Sequence, residues 1–168
     1  MKKIKDYFED ETLLDNELGF HLRKGNIIKS KGAKDLVKAH LEKSKHNLGL
    51  VNLLIENGEY NDWIIVSLYY TLYHSCLALL TNKGYSSKNH TATLLFIIKN
   101  YSDFSYEEVE MIEELFIDKA DVEFYTDLKQ ERHNASYSTK SIFTKEKVTG
   151  LRKKTISFIN KVEAILEG

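Results

Sequence analysis

The stretch ERHNASYS, residues 131–138, sets an arginine beside a histidine and a tyrosine five residues after the arginine. A guanidinium offers a planar fork of donors that suits a phosphate or a carboxylate. An imidazole titrates near ~6.5 and so gives and takes protons at neutral pH, whereas a phenol near ~10 does so poorly unless its surroundings perturb it. Arg132, His133 and Tyr137 therefore divide between anion binding and proton transfer. Val109, Ile112, Phe116, Ala120, Phe124 and Leu128 recur every three or four residues, and Arg132 takes the next place in that series. That spacing aims the arginine inward, where leaving its charge unpaired would cost several kcal/mol. Ala135 and Ser136 leave room beside it. Two roles fit the spacing: a structural residue bound to helix-end carbonyls and a carboxylate, or the wall of a phosphate pocket. His133 points about 100° around the helix from Arg132, so the two do not converge on one substrate from the same chain.

Two further histidines are alternative bases. His74 lies in a stripe of mostly small side chains, Ser67, Thr71, His74, Ser75 and Ala78, on an otherwise apolar segment, NDWIIVSLYYTLYHSCLALLTNK. Such a stripe lets a neighbouring helix or a second subunit approach closely, and a lone histidine within it reads first as a hydrogen-bonded structural residue. His90 follows Lys88 in a loop-like stretch. The six histidines include no pair at helical i,i+4 spacing, and no CxxC or HExxH occurs, so neither a metal nor a cofactor is expected. LRKGN and SKGAK carry single glycines and read as turns. Arg152, Lys153 and Lys154 read as a solvated helix face.

The elements that must position these residues are helical. Proline is absent, and proline costs a helix interior ~3 kcal/mol, so long uninterrupted helices are favoured. Glycine marks the breaks: Gly19, Gly25 and Gly32 near the N-terminus, with Gly58 and Gly84 placed as helix C-caps. Val37, Leu41, Leu48, Val51 and Ile55 form one apolar stripe, and Val148, Leu151, Thr155, Phe158, Val162 and Ile165 form another. The segment around Trp63, Tyr69, Tyr70, Tyr73, Cys76 and Leu80 is apolar around most of its circumference and must be central. A short helix is expected about Asp6–Leu18 with Tyr7, Leu14 and Leu18 inward. No strand pattern stands out. The fold class is all-α, with residues 1–31 as an N-terminal extension and 32–168 as a helical bundle.

Composition narrows the function classes. Lys and Arg number 24 against 25 Asp and Glu, which gives no overall nucleic-acid footprint. Locally, Arg23, Lys24, Lys29, Lys31, Lys34 and Lys38 make a basic quarter, and the middle from Glu107 to Glu123 is acidic. The lone Cys76 excludes an intramolecular disulfide and suits a reducing compartment in a buried apolar role. The start MKKIKDYFEDE has no apolar run, and no stretch approaches the ~18 apolar residues of a membrane span. A soluble, cytoplasmic protein is expected.

Tyr69, Tyr70, Tyr73, Leu79, Leu80, Gly84, Lys88, His90, Arg132, Ala135 and Tyr137 stand in the order and separation seen in small stand-alone members of the HEPN family, the higher eukaryotes and prokaryotes nucleotide-binding domain. The sequence resembles that family from about Ala33 to the C-terminus. The resemblance implies an antiparallel bundle of four or five helices and a homodimer with the arginine motif near its two-fold axis. It also implies a partnership with a small nucleotidyltransferase in a toxin–antitoxin pair, and several relatives cut RNA without a metal. Ligand contacts are expected from Arg132, Tyr70, His74, Lys88 and His90. The motif departs in one respect. Cutting relatives carry the arginine, then four to six intervening residues, then a histidine, and here Tyr137, Ser138 and Thr139 stand at those places. An interaction module for RNA or a nucleotide is the expectation, with an active endoribonuclease toxin or a structural dimeric scaffold as the alternatives.

Overall fold

A helix that is apolar on every side needs apolar neighbours on every side, and the segment Asn61–Asn82 obtains them from the rest of the chain. The computed structural model describes residues 3–131 and 143–168, with the side chains of 121 and 124–131 outside that description. Among the described residues the helices are α1 (Ile4–Glu9), α2 (Glu11–Arg23), α3 (Val37–Asn57), α4 (Asn61–Asn82), α5 (His90–Asn100), α6 (Tyr106–Glu131) and α7 (Lys145–Glu167). Helix α4 is the axis of the bundle, packed by α3, α5, α6 and α7. Ile64, Ile65, Leu68, Leu72, Cys76, Leu79 and Leu80 are fully buried along it. Truncating one such leucine costs ~2–5 kcal/mol, so this row fixes the bundle. Contrary to the sequence expectation, α4 is long and apolar enough for a membrane span, with a mean hydropathy of 1.5. Yet 83% of that apolar window is buried inside the protein, the condition of a core helix.

The small stripe on α4 is filled by α3 of the same chain. Ser44 Oγ donates to the Thr71 carbonyl at 2.9 Å and lies 2.9 Å from Ser75 Oγ, and Ser67, Thr71, Ser75 and Ala78 are buried there. Cys76 is buried as expected, and burial pushes its thiol up to about 12. Trp63, by contrast, stands at the rim of α4 and is exposed.

The N-terminal extension forms two helices where one was expected. Asp10 is extended, and its carboxylate accepts from the Leu13 amide at 2.9 Å, so it ends α1 and caps α2. Tyr7, Leu14 and Leu18 face inward as the spacing requires. Gly19 is no break, because buried Leu14, Leu18 and His21 carry the α2 stripe past it. Helix α3 stops at Gly58 (φ 81°) and α4 just before Gly84 (φ 83°), left-handed conformations that a Cβ disfavours.

Two short strands were not anticipated. β1 (Ile27–Lys29) pairs antiparallel with β2 (Tyr85–Ser87) in the register Ile27–Ser87, Ile28–Ser86 and Lys29–Tyr85. Buried Ile27 pins the ladder to the core. A turn of 3-10 helix, Ala33–Leu36, then leads into α3.

Candidate functional site

The turn between β2 and α5 sets Lys88, Asn89 and His90 beside the middle of α4. Asn89 caps α5 through its side-chain oxygen, which accepts from the Ala92 amide at 2.8 Å. His90 is therefore the first residue of α5, its ring directed between α4 and α6. A cleft of about 410 Å³ opens there, lined by Tyr69, Tyr70 and Tyr73 of α4, Lys88, His90, and Phe116 and Lys119 of α6.

His90 is buried, and each face and edge of its ring has a partner. The ring stacks on Phe116 at 4.0 Å and 9°. Its Nε2 lies 2.7 Å from Glu113 Oε2, and its Nδ1 lies 3.2 Å from the Tyr69 hydroxyl. An ionised carboxylate only accepts, so Nε2–H donates to Glu113, and in the neutral ring the Nδ1 lone pair accepts the Tyr69 proton. Both nitrogens are spoken for. Burial, followed by the neighbouring Tyr73 and Tyr70, raises the Tyr69 pKa, so that hydroxyl keeps its proton. The Tyr69–His90–Glu113 chain thus ties α4, α5 and α6 together at the floor of the cleft, and it leaves no imidazole nitrogen open to a ligand as a base.

The walls are aromatic and the mouth is cationic. Lys119 Nζ lies 5.0 Å from the Tyr70 ring centroid, 5.2 Å from that of Tyr69 and 5.9 Å from that of Phe116. Burial pulls its pKa down, but hydrogen bonds to Glu123 and Tyr70 outweigh that and hold it raised, so the ammonium stays charged. Glu123 engages it at 2.9 Å. Tyr70 is 36% exposed and Lys88 is exposed, so both reach solvent at the opening. Burial also raises Tyr73.

His74 takes no part in this cleft. It faces α3, where its Nδ1 lies 3.1 Å from His40 Nδ1 with the ring centroids 5.3 Å apart. Burial, then His40 and Lys43, lowers its pKa to about 4, and burial lowers that of His40 as well. Of the residues expected to meet a ligand, the fold brings Tyr70, Lys88 and His90 together and sets His74 apart. Arg132 and Tyr137 lie outside the described residues. Glu113, Phe116 and Lys119 were not anticipated. Their signal was their position: Phe116 sits in the inward stripe of α6, and Glu113 and Lys119 flank it at three-residue spacing.

A family model described as HEPN domain matches residues 37–165. That range takes in α3 to α7 and every residue of the cleft, and it leaves α1, α2 and β1 outside. No curated protein matches the sequence.

Proposed function

This chain belongs to the HEPN family, a nucleotide- or RNA-related module in general, and on that premise we propose that the cleft between α4, α5 and α6 binds a nucleotide, alone or as one unit of an RNA. The observation that carries this reading is the combination of aromatic walls with Lys88, unpaired among the described residues, at the opening and Lys119, paired with Glu123, behind it. The Tyr70 ring offers a base a surface to stack on, an interaction worth ~1–3 kcal/mol per base. Lys88 meets the phosphate, Lys119 joins it by turning from Glu123, and the positive end of α5 adds to their field. The Tyr69–His90–Glu113 chain supplies rigidity, so the walls are set before the ligand arrives.

Titration calorimetry with adenosine and guanosine nucleotides tests the reading. Tyr70→Ala and Lys119→Ala are each expected to weaken binding about tenfold or more, the loss of ~1.4 kcal/mol. Undiminished affinity in both variants, or no binding by the unaltered protein, would remove the cleft as a nucleotide site.

The same reading takes the protein to be a cytoplasmic homodimer and the partner of a small nucleotidyltransferase in a toxin–antitoxin pair, supported by its family membership. Light scattering is then expected to give twice the chain mass of 19.5 kDa. Co-expression with a nucleotidyltransferase encoded beside it is expected to yield one complex, and separate elution of the two proteins would count against the pairing.

A further inference from the structure

We infer that the β1–β2 ladder is a track for the phosphate backbone of single-stranded RNA, running into the cleft by way of Lys88. The inference rests on the nucleotide reading of the cleft and names the larger ligand to which that nucleotide would belong.

Residues 18–34 and 63–102 carry no Asp or Glu. Each segment is basic where it approaches the ladder: Arg23, Lys24, Lys29, Lys31 and Lys34 in the first, Lys83 and Lys88 in the second. Separated by about a third of the chain, they are joined only by the fold. The Ser30 amide donates to the Gly84 carbonyl at 3.0 Å, which sets Lys31 next to Lys83 at one end. The Ile27–Ser87 pair sets the Lys24–Asn26 turn next to Lys88 at the other. Between them, Lys29 Nζ rests 6.0 Å from the ring centroid of Tyr85, its cross-strand partner.

These cations differ from the paired lysines of the surface, although Lys43, Lys145, Lys153 and Lys154 are likewise exposed and without an ion pair among the described residues. Lys5, Lys38, Lys45, Lys99, Lys147 and Lys161 are each paired with a carboxylate. Lys24, Lys29, Lys31, Lys83 and Lys88 are exposed, and none is in an ion pair among the described residues. A chain with no excess of positive charge overall thus places five unneutralised lysines along this edge, besides those on α3 and α7. The three-residue ladder runs roughly 10 Å at ~3.4 Å per residue, and Lys83 and Lys88 carry the run beyond its two ends. That is long enough for several phosphates of a strand. Exposed Phe20 and Ile28 add apolar surface beside the track, and Lys24 lies 5.8 Å over the Phe20 ring.

Continuity with the cleft decides among anionic partners. Lys88 belongs both to the end of the ladder and to the lining of the cleft, so a strand held along the ladder delivers one base to Tyr70. A membrane or an acidic peptide has no such base to deliver. β1 and α2 precede the matched range, while β2, Lys83 and Lys88 lie inside it, so the track joins a segment outside the family match to one within it.

The test uses the full chain and a variant with Lys29→Ser, Lys31→Ser and Lys83→Ser, leaving Lys88 in place because it also lines the cleft. Fluorescence anisotropy follows a labelled single-stranded RNA of about ten nucleotides, a usual site size for such binders, and calorimetry follows a mononucleotide. The variant is expected to bind the RNA about tenfold less tightly at low salt, with the log–log salt slope shallower by about 2, since each lost phosphate contact removes ~0.7. Its mononucleotide affinity and thermal midpoint are expected to be unchanged, and the corresponding triple Lys→Arg variant is expected to keep the RNA affinity. If the mononucleotide fails to bind while RNA binding still depends on these lysines, the cleft reading fails and the track stands. RNA affinity and salt slope unchanged in the serine variant would overturn the track whatever the cleft does. Lysine-dependent binding to vesicles containing phosphatidylserine, with no RNA binding, would overturn it in favour of a lipid surface.

Discussion

His40 and His74 meet nitrogen to nitrogen, so only one of them can carry the proton that lies between Nδ1 and Nδ1 at 3.1 Å. Protonating both places two donors head-on. Acidification is therefore expected to loosen the α3–α4 contact. An unfolded histidine titrates near ~6.5, whereas folded His74 is lowered to about 4 by burial, then His40 and Lys43. Across that window the unfolded chain binds a proton that the folded chain refuses, so stability is fully present above ~6.5 and is lost as the pH falls toward 4. From about pH 7 to pH 5 the full shift would remove ~2 kcal/mol at ~1.4 kcal/mol per unit. The ring is only half-buried and partly screened by water, which reduces the expectation to about 1 kcal/mol. In a chain of this size that corresponds to a fall of roughly 2–4 °C in Tm. The other groups facing the pair are Lys43 on α3 and the Tyr73 ring, whose centroid lies 6.5 Å from that of His74. Urea unfolding followed by circular dichroism at both pH values measures the loss. The comparison is with His74→Asn, which cannot take the proton. It starts lower by ~1 kcal/mol for the broken hydrogen bond, and it is expected to lose less on acidification. Equal losses in the two proteins would refute the reasoning.

Three more outcomes follow from other sites. Thr155 Oγ1 is buried without a hydrogen-bond partner among the described residues, so Thr155→Val is expected to raise stability by ~1 kcal/mol in a urea titration, and a loss would mean that the hydroxyl is satisfied. Glu113→Ala leaves the buried Nε2–H of His90 without its acceptor; a cost of ~2–3 kcal/mol is expected, smaller in Glu113→Gln, and a cost under ~0.5 kcal/mol would show the chain of bonds to be idle. Tyr137 stands where cutting relatives of the resembled motif carry histidine. Metal-independent RNA cleavage is therefore expected to be weak or absent, to rise ~10²–10⁴-fold in Tyr137→His and to vanish again when Arg132→Ala is added. Robust cleavage by the unaltered protein in EDTA, lost in Arg132→Ala, would contradict that.

What was legible in the sequence was what periodicity reports. The central place of α4 followed from apolar residues around its whole circumference, and the inward faces of α3, α7 and the first half of α6 followed from their stripes. Further along the α6 series Ala120 is exposed, Val122 is buried in its stead, and the side chains of Phe124 and Leu128 lie outside the described residues. The α3–α4 match was half-legible. Ser44 sits in the long gap between Leu41 and Leu48, and it meets the small stripe of α4, so two polar interruptions found each other across the interface. The partner of His74 was missed because His40 stands one place off an apolar stripe, where a polar residue reads as surface. The strands were illegible because three residues carry too little alternation to show a period of two, and their register comes from buried Ile27 and from cross-chain pairing. The split between α1 and α2 was written in Asp10, an N-cap residue type, but the inward series Tyr7, Leu14 and Leu18 ran across it and hid the break. In the candidate site, Tyr70, Lys88 and His90 could be named from the motif. Glu113 and Lys119 were lost in the acidic segment, since only the packing of α6 on α4 distinguishes them from solvated neighbours.

The chemistry available in the cleft argues for holding over cutting. Lys88 and Lys119 are donors that accept nothing while charged, and Lys119 is held charged. His90 spends one nitrogen on Glu113 and the other on Tyr69, whose own proton burial retains. Moving a proton there would mean breaking a buried hydrogen bond in the chain that joins three helices, at ~1–3 kcal/mol for each group left unsatisfied. His74, the other candidate base, is turned to α3 and lies outside the cleft. Among the described residues, then, the site presents stacking surface and the Lys88 ammonium, with no imidazole nitrogen left over to move a proton. A ligand bound on those terms stays unreacted unless chemistry is brought to it from elsewhere in the chain or from a second protein. That is the division of labour assumed by the proposed pairing with a nucleotidyltransferase, and it is why the binding variants Tyr70→Ala and Lys119→Ala, rather than any histidine variant, test the cleft first.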